Sequence, residues 1–242
     1  MHQVAAPVGP AGRAIAWLGG AAFVASLAYF LYSFAVPWAA PPPPDAAPAG
    51  PVPPLLFNAA IFSVFALHHS VMARSGAKRW LAAHVGLSLE RSAYVWISSV
   101  LFLLTCWFWQ PVPGVIYVVP EPWSVAGWSA QVLGVWLTLD AARAIDLLDL
   151  AGIRQAAGGQ SRTLLQARGA YGLVRHPIYL GWALLTFGAP IMTSTRFSFA
   201  CISTLYLIVA IPFEERSLVH SFGDEYTAYR RRVRWRMIPG VY

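Results

Sequence analysis

Arg175-His176-Pro177 stands at the start of an apolar run, with Tyr171 four residues before the arginine and Tyr179 three after the histidine. Each residue type suits a task. An imidazole is the usual general acid or base near neutral pH. A guanidinium pairs bidentately with a carboxylate. Tyrosine faces attract cations. Pro177 suits the first turn of a helix, where its missing N–H costs nothing, and a helix N-terminus favours anionic ligand groups. Gly181 allows close backbone approach. A second polar point, Glu214-Glu215, ends a later apolar run and is followed by Arg216. Adjacent helix residues do not share a face, so the glutamates are no dyad, but one of them can turn into the bundle. The plainer reading makes His176 an interfacial helix start and the glutamates a solvated membrane edge. The company His176 keeps favours a functional site, with His176, Glu214 and Glu215 as candidate acid–base groups.

Such residues must be positioned by helices in a membrane. Of 242 residues 57% are hydrophobic and 11% charged, against about 25% charged in soluble domains. A helical crossing takes roughly 20 apolar residues. Six stretches qualify, at about 14–36, 55–72, 92–109, 123–142, 177–194 and 197–213. The expected fold is therefore all-α: a polytopic membrane protein of about six transmembrane helices with a C-terminal amphipathic helix. The first run is too long for a signal-peptide core and reads as a retained helix. Of 17 lysines and arginines only Arg196 falls between spans five and six. The other basic residues flank the opposite ends, which places both termini in the cytoplasm. The net charge of +7 then reads as a membrane-surface signal, with the lipid bilayer as partner and no nucleic acid.

Residues 1–54 read as the first span and a Pro/Ala-rich loop, and residues 55–242 as the core, with its site half at about 146–236. Thr193-Ser194-Thr195-Arg196 leaves room only for a tight turn. Spans five and six should form a hairpin that brings Arg175–Trp182 toward Glu214 and Glu215. Leu218, Phe222, Tyr226, Tyr229 and Val233 recur at helical spacing and predict an amphipathic helix, on the cytoplasmic surface or folded back over the bundle. Asp140 and Arg143, three apart, predict a local ion pair. Cys106 and Cys201 lie in apolar runs and read as buried small residues, and no Cys/His spacing suits a metal. His68-His69 sits near the end of span two, where intramembrane ionisable groups are functional candidates. A haem would need two imidazoles on facing helices, whereas these neighbours point apart.

The pattern Gly169-x-Tyr171-x-x-x-Arg175-His176-Pro177-x-Tyr179-x-Gly181, then Glu214-Glu215, then Phe222-Gly223-x-Glu225-Tyr226-x-x-Tyr229, resembles the C-terminal half of the membrane-embedded isoprenylcysteine carboxyl methyltransferases. His69-Ser70-Val71-Met72-Ala73-Arg74, Glu90-Arg91-Ser92-x-Tyr94 and Asp149-Leu150-x-Gly152-Ile153-Arg154-Gln155 are similar to the nurim-type branch, which includes the NnrU-like proteins and the bacterial methanethiol S-methyltransferases. The resemblance covers about residues 55–240.

It implies binding of S-adenosylmethionine, with contacts from the positions matching Tyr171, His176 and Tyr179. The short stretch before the glycine aligns with Thr163-Leu164-Leu165-Gln166 and departs from the family's His-Glu-Leu-Val pattern. Leu165, Gln166, Gln155, Arg175, Pro177 and Gly181 complete the expected cofactor set. His68, His69 and Arg216 are substrate-side candidates. The implied reaction is methyl transfer to a small thiol, with methanethiol giving dimethyl sulfide as the first choice. The enzyme would sit in a bacterial inner membrane and take its cofactor from the cytoplasm. A lipid-borne acceptor would need a groove open to the bilayer, whereas bulky Trp182 and Trp136 favour a closed pocket. A non-enzymatic membrane protein is the remaining alternative.

Overall fold

The computed structural model describes residues 8–42, 50–159 and 164–242. Pro43, Pro44, Arg162 and Thr163 lie outside them. The chain divides into two packed units.

The first unit holds α1 (Pro10–Ala35), most of α2 (Val52–Met72), α3 (Ser75–Val85), α4 (Glu90–Trp107) and two single-turn helices, α6 (Leu147–Leu150) and α7 (Ile153–Ala156). Pro10 occupies the first turn of α1, the position where proline is tolerated. Gly19 of α1 lies under the Trp96 ring of α4, and the Trp96 indole donates to the Ile15 carbonyl at 3.0 Å. Phe30, Phe65 and Phe102 pack ring to ring at 5.2–5.8 Å. The stretch between spans two and three contains a helix, α3, that meets α4 at 105° across Gly86. Gly86 has φ +85, which suits glycine and ends α3. Asp146 caps α6 through Leu148 N–H and Asp149 N–H at 3.1 and 3.3 Å.

The second unit holds α5 (Ser124–Ile145), α8 (Pro177–Phe187), α9 (Ser194–Phe222), α10 (Asp224–Arg232) and an antiparallel ribbon of β1 (Val115–Val118) and β2 (Ile191–Thr193). α5 and α8 meet along a seam of small residues. A Cβ on Gly134 would stand 2.5 Å from the Gly181 carbonyl, and one on Gly127 2.6 Å from the Gly188 carbonyl. In lipid, where apolar faces gain little from meeting each other, such backbone approach is what packs helices.

Among the described residues three helices are long and apolar enough to cross a membrane: α1 with its short extension to Ala39, α2 and α9. The bent α3–α4 pair makes a fourth if it counts as one span. Their outward faces carry large apolar residues such as Trp17, Leu56, Leu67 and Leu205, as lipid contact requires. The protein is an all-α integral membrane protein apart from the small ribbon. The stretch 177–194 is not one continuous helix. Gly188-Ala189-Pro190 stops α8 after 11 residues, about 16 Å of rise, and β2 follows. The predicted C-terminal helix is split in two by Gly223, φ +54. Its apolar stripe turns inward: Tyr226, Tyr229 and Val233 pack with Leu165, Ala167, Leu218, Val219 and Phe222. Asp140 and Arg143 form no ion pair among the described residues; the Asp140 carboxylate lies beside Gly169.

Candidate active site

Helices α8 and α9 form the expected hairpin, and its polar end gathers the chemistry. His176 caps α8 just before Pro177 and is buried. Its Nδ1 lies 3.5 Å from Glu214 and its Nε2 3.6 Å from Glu215. These are ion-pair rather than hydrogen-bond distances, and the buried Nε2 has no hydrogen-bond partner among the described residues. The Tyr179 ring stacks on the imidazole at 5.3 Å and 16°, and its hydroxyl donates to Glu214.

The two glutamates differ in burial and company. The Glu214 side chain is 45% exposed and the Glu215 side chain 4%. Glu215 accepts from Arg175 Nε at 2.6 Å and faces Arg236 at 3.5 Å and Arg230 at 4.0 Å. Burial pushes the His176 imidazole toward its neutral form, but Glu214 and Glu215 together overcome it, so its pKa stands above the ordinary 6.5.

Arg175 is committed within the protein. Besides Glu215, its Nη1 donates to the carbonyls of Val233 and Arg234 at 2.9 and 2.7 Å. The main chain is held by the same segment: Arg175 N–H donates to Trp235 O at 2.9 Å and His176 N–H to Arg236 O at 2.8 Å. Tyr171 lies on the 3-10 turn Gly169–Gly172, and its carbonyl accepts from the Tyr229 hydroxyl at 2.8 Å. Burial raises the Tyr171, Tyr226 and Tyr229 hydroxyls, Tyr229 to about 12, so all three stay protonated. Leu165 packs against α10, and Gln166 follows it in a segment that is neither helix nor strand.

Tyr171, Arg175, His176, Pro177, Tyr179, Glu214, Glu215, Leu165 and Gln166 thus all belong to the second unit. Gly181 does too, but the close approach expected there is made by α5, whose Thr138 Oγ1 and Gly134 carbonyl fill the space a Cβ would take. Arg216 is exposed, with its guanidinium over the Phe213 ring. Trp136 is 57% exposed on α5. Trp182 is half-buried, donating to Ser203 Oγ at 2.9 Å and packing on Phe199. Gln155, His68 and His69 belong to the first unit. Gln155 accepts from Arg91 N–H at 3.2 Å. His69 Nδ1 lies 2.8 Å from the Tyr94 hydroxyl, and His68 Nδ1 3.4 Å from Ser98 Oγ. Arg230, Arg236 and Tyr229 are site residues that sequence reading left among the surface charges and the apolar stripe. The only available signal was a carboxylate at a span end with a basic cluster downstream.

A buried imidazole thus stands between two carboxylates at the polar end of helices built for a membrane, in an integral-membrane protein. No family model and no solved structure matches the chain. Curated relatives do. Methanethiol S-methyltransferase 2 of Bradyrhizobium diazoefficiens is 40% identical over 191 residues, which cover 74% of this chain and 71% of the relative. Methanethiol S-methyltransferase of Mycobacterium tuberculosis is 42% identical over 194 residues, covering 78% and 79%. Nurim of Xenopus laevis is 31% identical over 184 residues, covering 69% and 60%. The chain belongs to the methanethiol S-methyltransferase family and is a methyltransferase.

Proposed function

We propose that this protein transfers a methyl group from S-adenosylmethionine to methanethiol, releasing dimethyl sulfide, with the second unit as the catalytic half. The observation that carries the reading is His176 held between Glu214 and Glu215, in a chain whose relatives bear that activity in their names.

The residues present suit the cofactor. A sulfonium cation calls for aromatic faces and nearby carboxylate charge, which the stacked Tyr179 and His176 rings and half-exposed Glu214 offer. The buried His176 Nε2 makes no hydrogen bond among the described residues, with Glu215 standing 3.6 Å away. When bound, S-adenosylmethionine supplies an electrophilic methyl on sulfur. Tyr171, Tyr179, Leu165 and Gln166 are the residues we assign to holding it. Arg175, spent on Glu215 and two carbonyls, is assigned a positioning role.

The chain's own task is to take a proton and to orient the thiol. Thiols ionise above neutrality, at about 8.5 for free cysteine, so a base must collect the S–H proton as the C–S bond forms. The His176–Glu214 pair is the acceptor, and we leave the proton to the pair rather than to one atom. Both carboxylates favour imidazolium, so the base is free only above the usual histidine range. Activity should therefore rise with pH through a value above 6.5. Near-attack positioning supplies much of the remaining acceleration. Apolar substrate and product can cross through lipid.

The arrangement we infer has six passes, the fifth short and built on α8, with both termini and the site in the cytoplasm of a bacterial inner membrane. It rests on the one-sided basic residues.

Headspace gas chromatography tests the reading. Membranes expressing the protein, given methanethiol and S-adenosylmethionine, should release dimethyl sulfide, and His176→Ala membranes of equal abundance should not. Cofactor binding without product would remove methanethiol as acceptor and turn the search to lipid-borne acceptors.

A further inference from the structure

The C-terminal segment after α10 does more than cover the site. Val233 and Arg234 give their carbonyls to the Arg175 guanidinium, and Trp235 and Arg236 give theirs to the main-chain N–H groups of Arg175 and His176. Met237 is fully buried behind them. Arg236 is itself braced. Its guanidinium lies 5.1 Å over the Tyr242 ring and donates to the Tyr242 hydroxyl at 3.0 Å, while its Nε stands 3.5 Å from Glu215 Oε2. Met237 N–H and Ile238 N–H close the segment onto the Tyr242 carbonyl at 2.9 and 3.1 Å.

We propose that Arg236, braced by Tyr242, is a positioning residue of the active site, acting through Glu215 and through its own carbonyl on the His176 imidazole. The groups facing that imidazole are Glu214 and Glu215 from α9, Tyr179 from α8 and Arg175 beside it in the chain. Arg236 and Arg230 stand behind Glu215. Arg236 shares the charge of Glu215. With that cation removed, Glu215 acts on His176 with less competition, and imidazolium becomes more favoured. The base is then released only at higher pH.

The inference rests on the methyltransferase reading for its kinetic arm alone. In full-length protein, Arg236→Met should move the acid limb of the pH–rate profile upward by about half a pH unit, which on that limb lowers kcat by about threefold. Arg236→Lys should keep the limb in place. Tyr242→Phe, which leaves the ring and removes the hydroxyl, should give an intermediate shift. The second arm needs no turnover. Carbethoxylation of His176 by diethyl pyrocarbonate, followed by peptide mass spectrometry, reads the neutral fraction of the imidazole against pH. Its midpoint should rise in Arg236→Met and stay in Arg236→Lys. An unmoved midpoint in Arg236→Met overturns the proposal whatever the substrate proves to be. Absence of dimethyl sulfide from the parent with a shifted midpoint overturns the choice of acceptor and leaves the positioning role standing.

Discussion

Glu214 and Glu215 are separated by one peptide bond and by nearly all of their burial. Glu215 is enclosed by Arg175, Arg236, Arg230 and His176, so it serves as a fixed counter-ion. Removing its charge strands the buried Arg175 guanidinium, a change that costs about 3–5 kcal/mol in comparable pairs. Glu215→Gln should therefore lower the thermal midpoint of the detergent-solubilised protein sharply. Glu214 is half-exposed and touches Tyr179 and His176. Glu214→Gln should leave that midpoint nearly unchanged and lower kcat by about a hundredfold. Equal loss of stability in both variants would end the distinction. The imidazole adds a pH signature. Because its folded pKa lies above 6.5, its contribution to stability is fully present below the unfolded value and is lost as pH rises through the folded one. The difference in midpoint between parent and His176→Ala should be largest in mild acid and should shrink toward alkaline pH. A gap that widened with pH would mean that burial, not the carboxylates, dominates at His176.

At the scale of elements, α8 carries the site, and its placement depends on four glycines. Gly127 and Gly134 of α5 meet Gly188 and Gly181 of the α8 segment at backbone distance. Gly181→Ala drives a methyl group into Thr138 and the Gly134 carbonyl, both on a helix backbone that cannot step aside cheaply. Overpacking of this kind costs about 1–3 kcal/mol, and the displaced α8 would carry His176 and Tyr179 with it. The variant should lose thermal stability and activity together. The same seam explains what sequence reading reached and what it missed. Apolar runs announced α1, α2, α4, α5 and α9, and the short connection announced the α8–α9 hairpin, although the turn expected at Thr193–Arg196 is the start of α9 and the chain turns at 188–193 instead. The run 177–194 looked like a full span because hydropathy is blind to Gly188-Ala189-Pro190, where the helix stops and the chain enters β2. Strand β1, Val115–Val118, finds its register only through that distant partner. The aromatic stripe of Tyr226 and Tyr229 was visible as periodicity. Its inward direction is set by Gly223, which turns α10 back onto Leu165 and Leu218. Arg236 was unreadable for the same reason, since its approach to Glu215 needs the helix break, α10 and a further extended segment in succession.

For the whole molecule, the open quantity is how often the chain crosses the bilayer. Between Glu121 and Asp224 lie α5, α8 and α9. If all three cross, the two residues lie on opposite sides. If α8, with about 16 Å of rise against a hydrocarbon core of about 30 Å, enters and leaves by one face, they share a side. Single cysteines decide between these cases once Cys106 and Cys201 are replaced by serine. In intact spheroplasts a membrane-impermeant maleimide should label Glu121→Cys. It should reach Ser75→Cys and Asp224→Cys only after the membrane is opened. Labelling of Asp224→Cys from outside, with Ser75→Cys still protected, would leave α8 as a re-entrant helix. It would also put Glu214, at the far end of α9, on the outer side while His176, which follows α5, stays inside. The 3.5 Å approach of His176 to Glu214 could not then exist. The labelling pattern therefore tests the candidate site as well as the topology, because His176 and Glu214 can meet only if the start of α8 and the end of α9 lie at one face of the membrane.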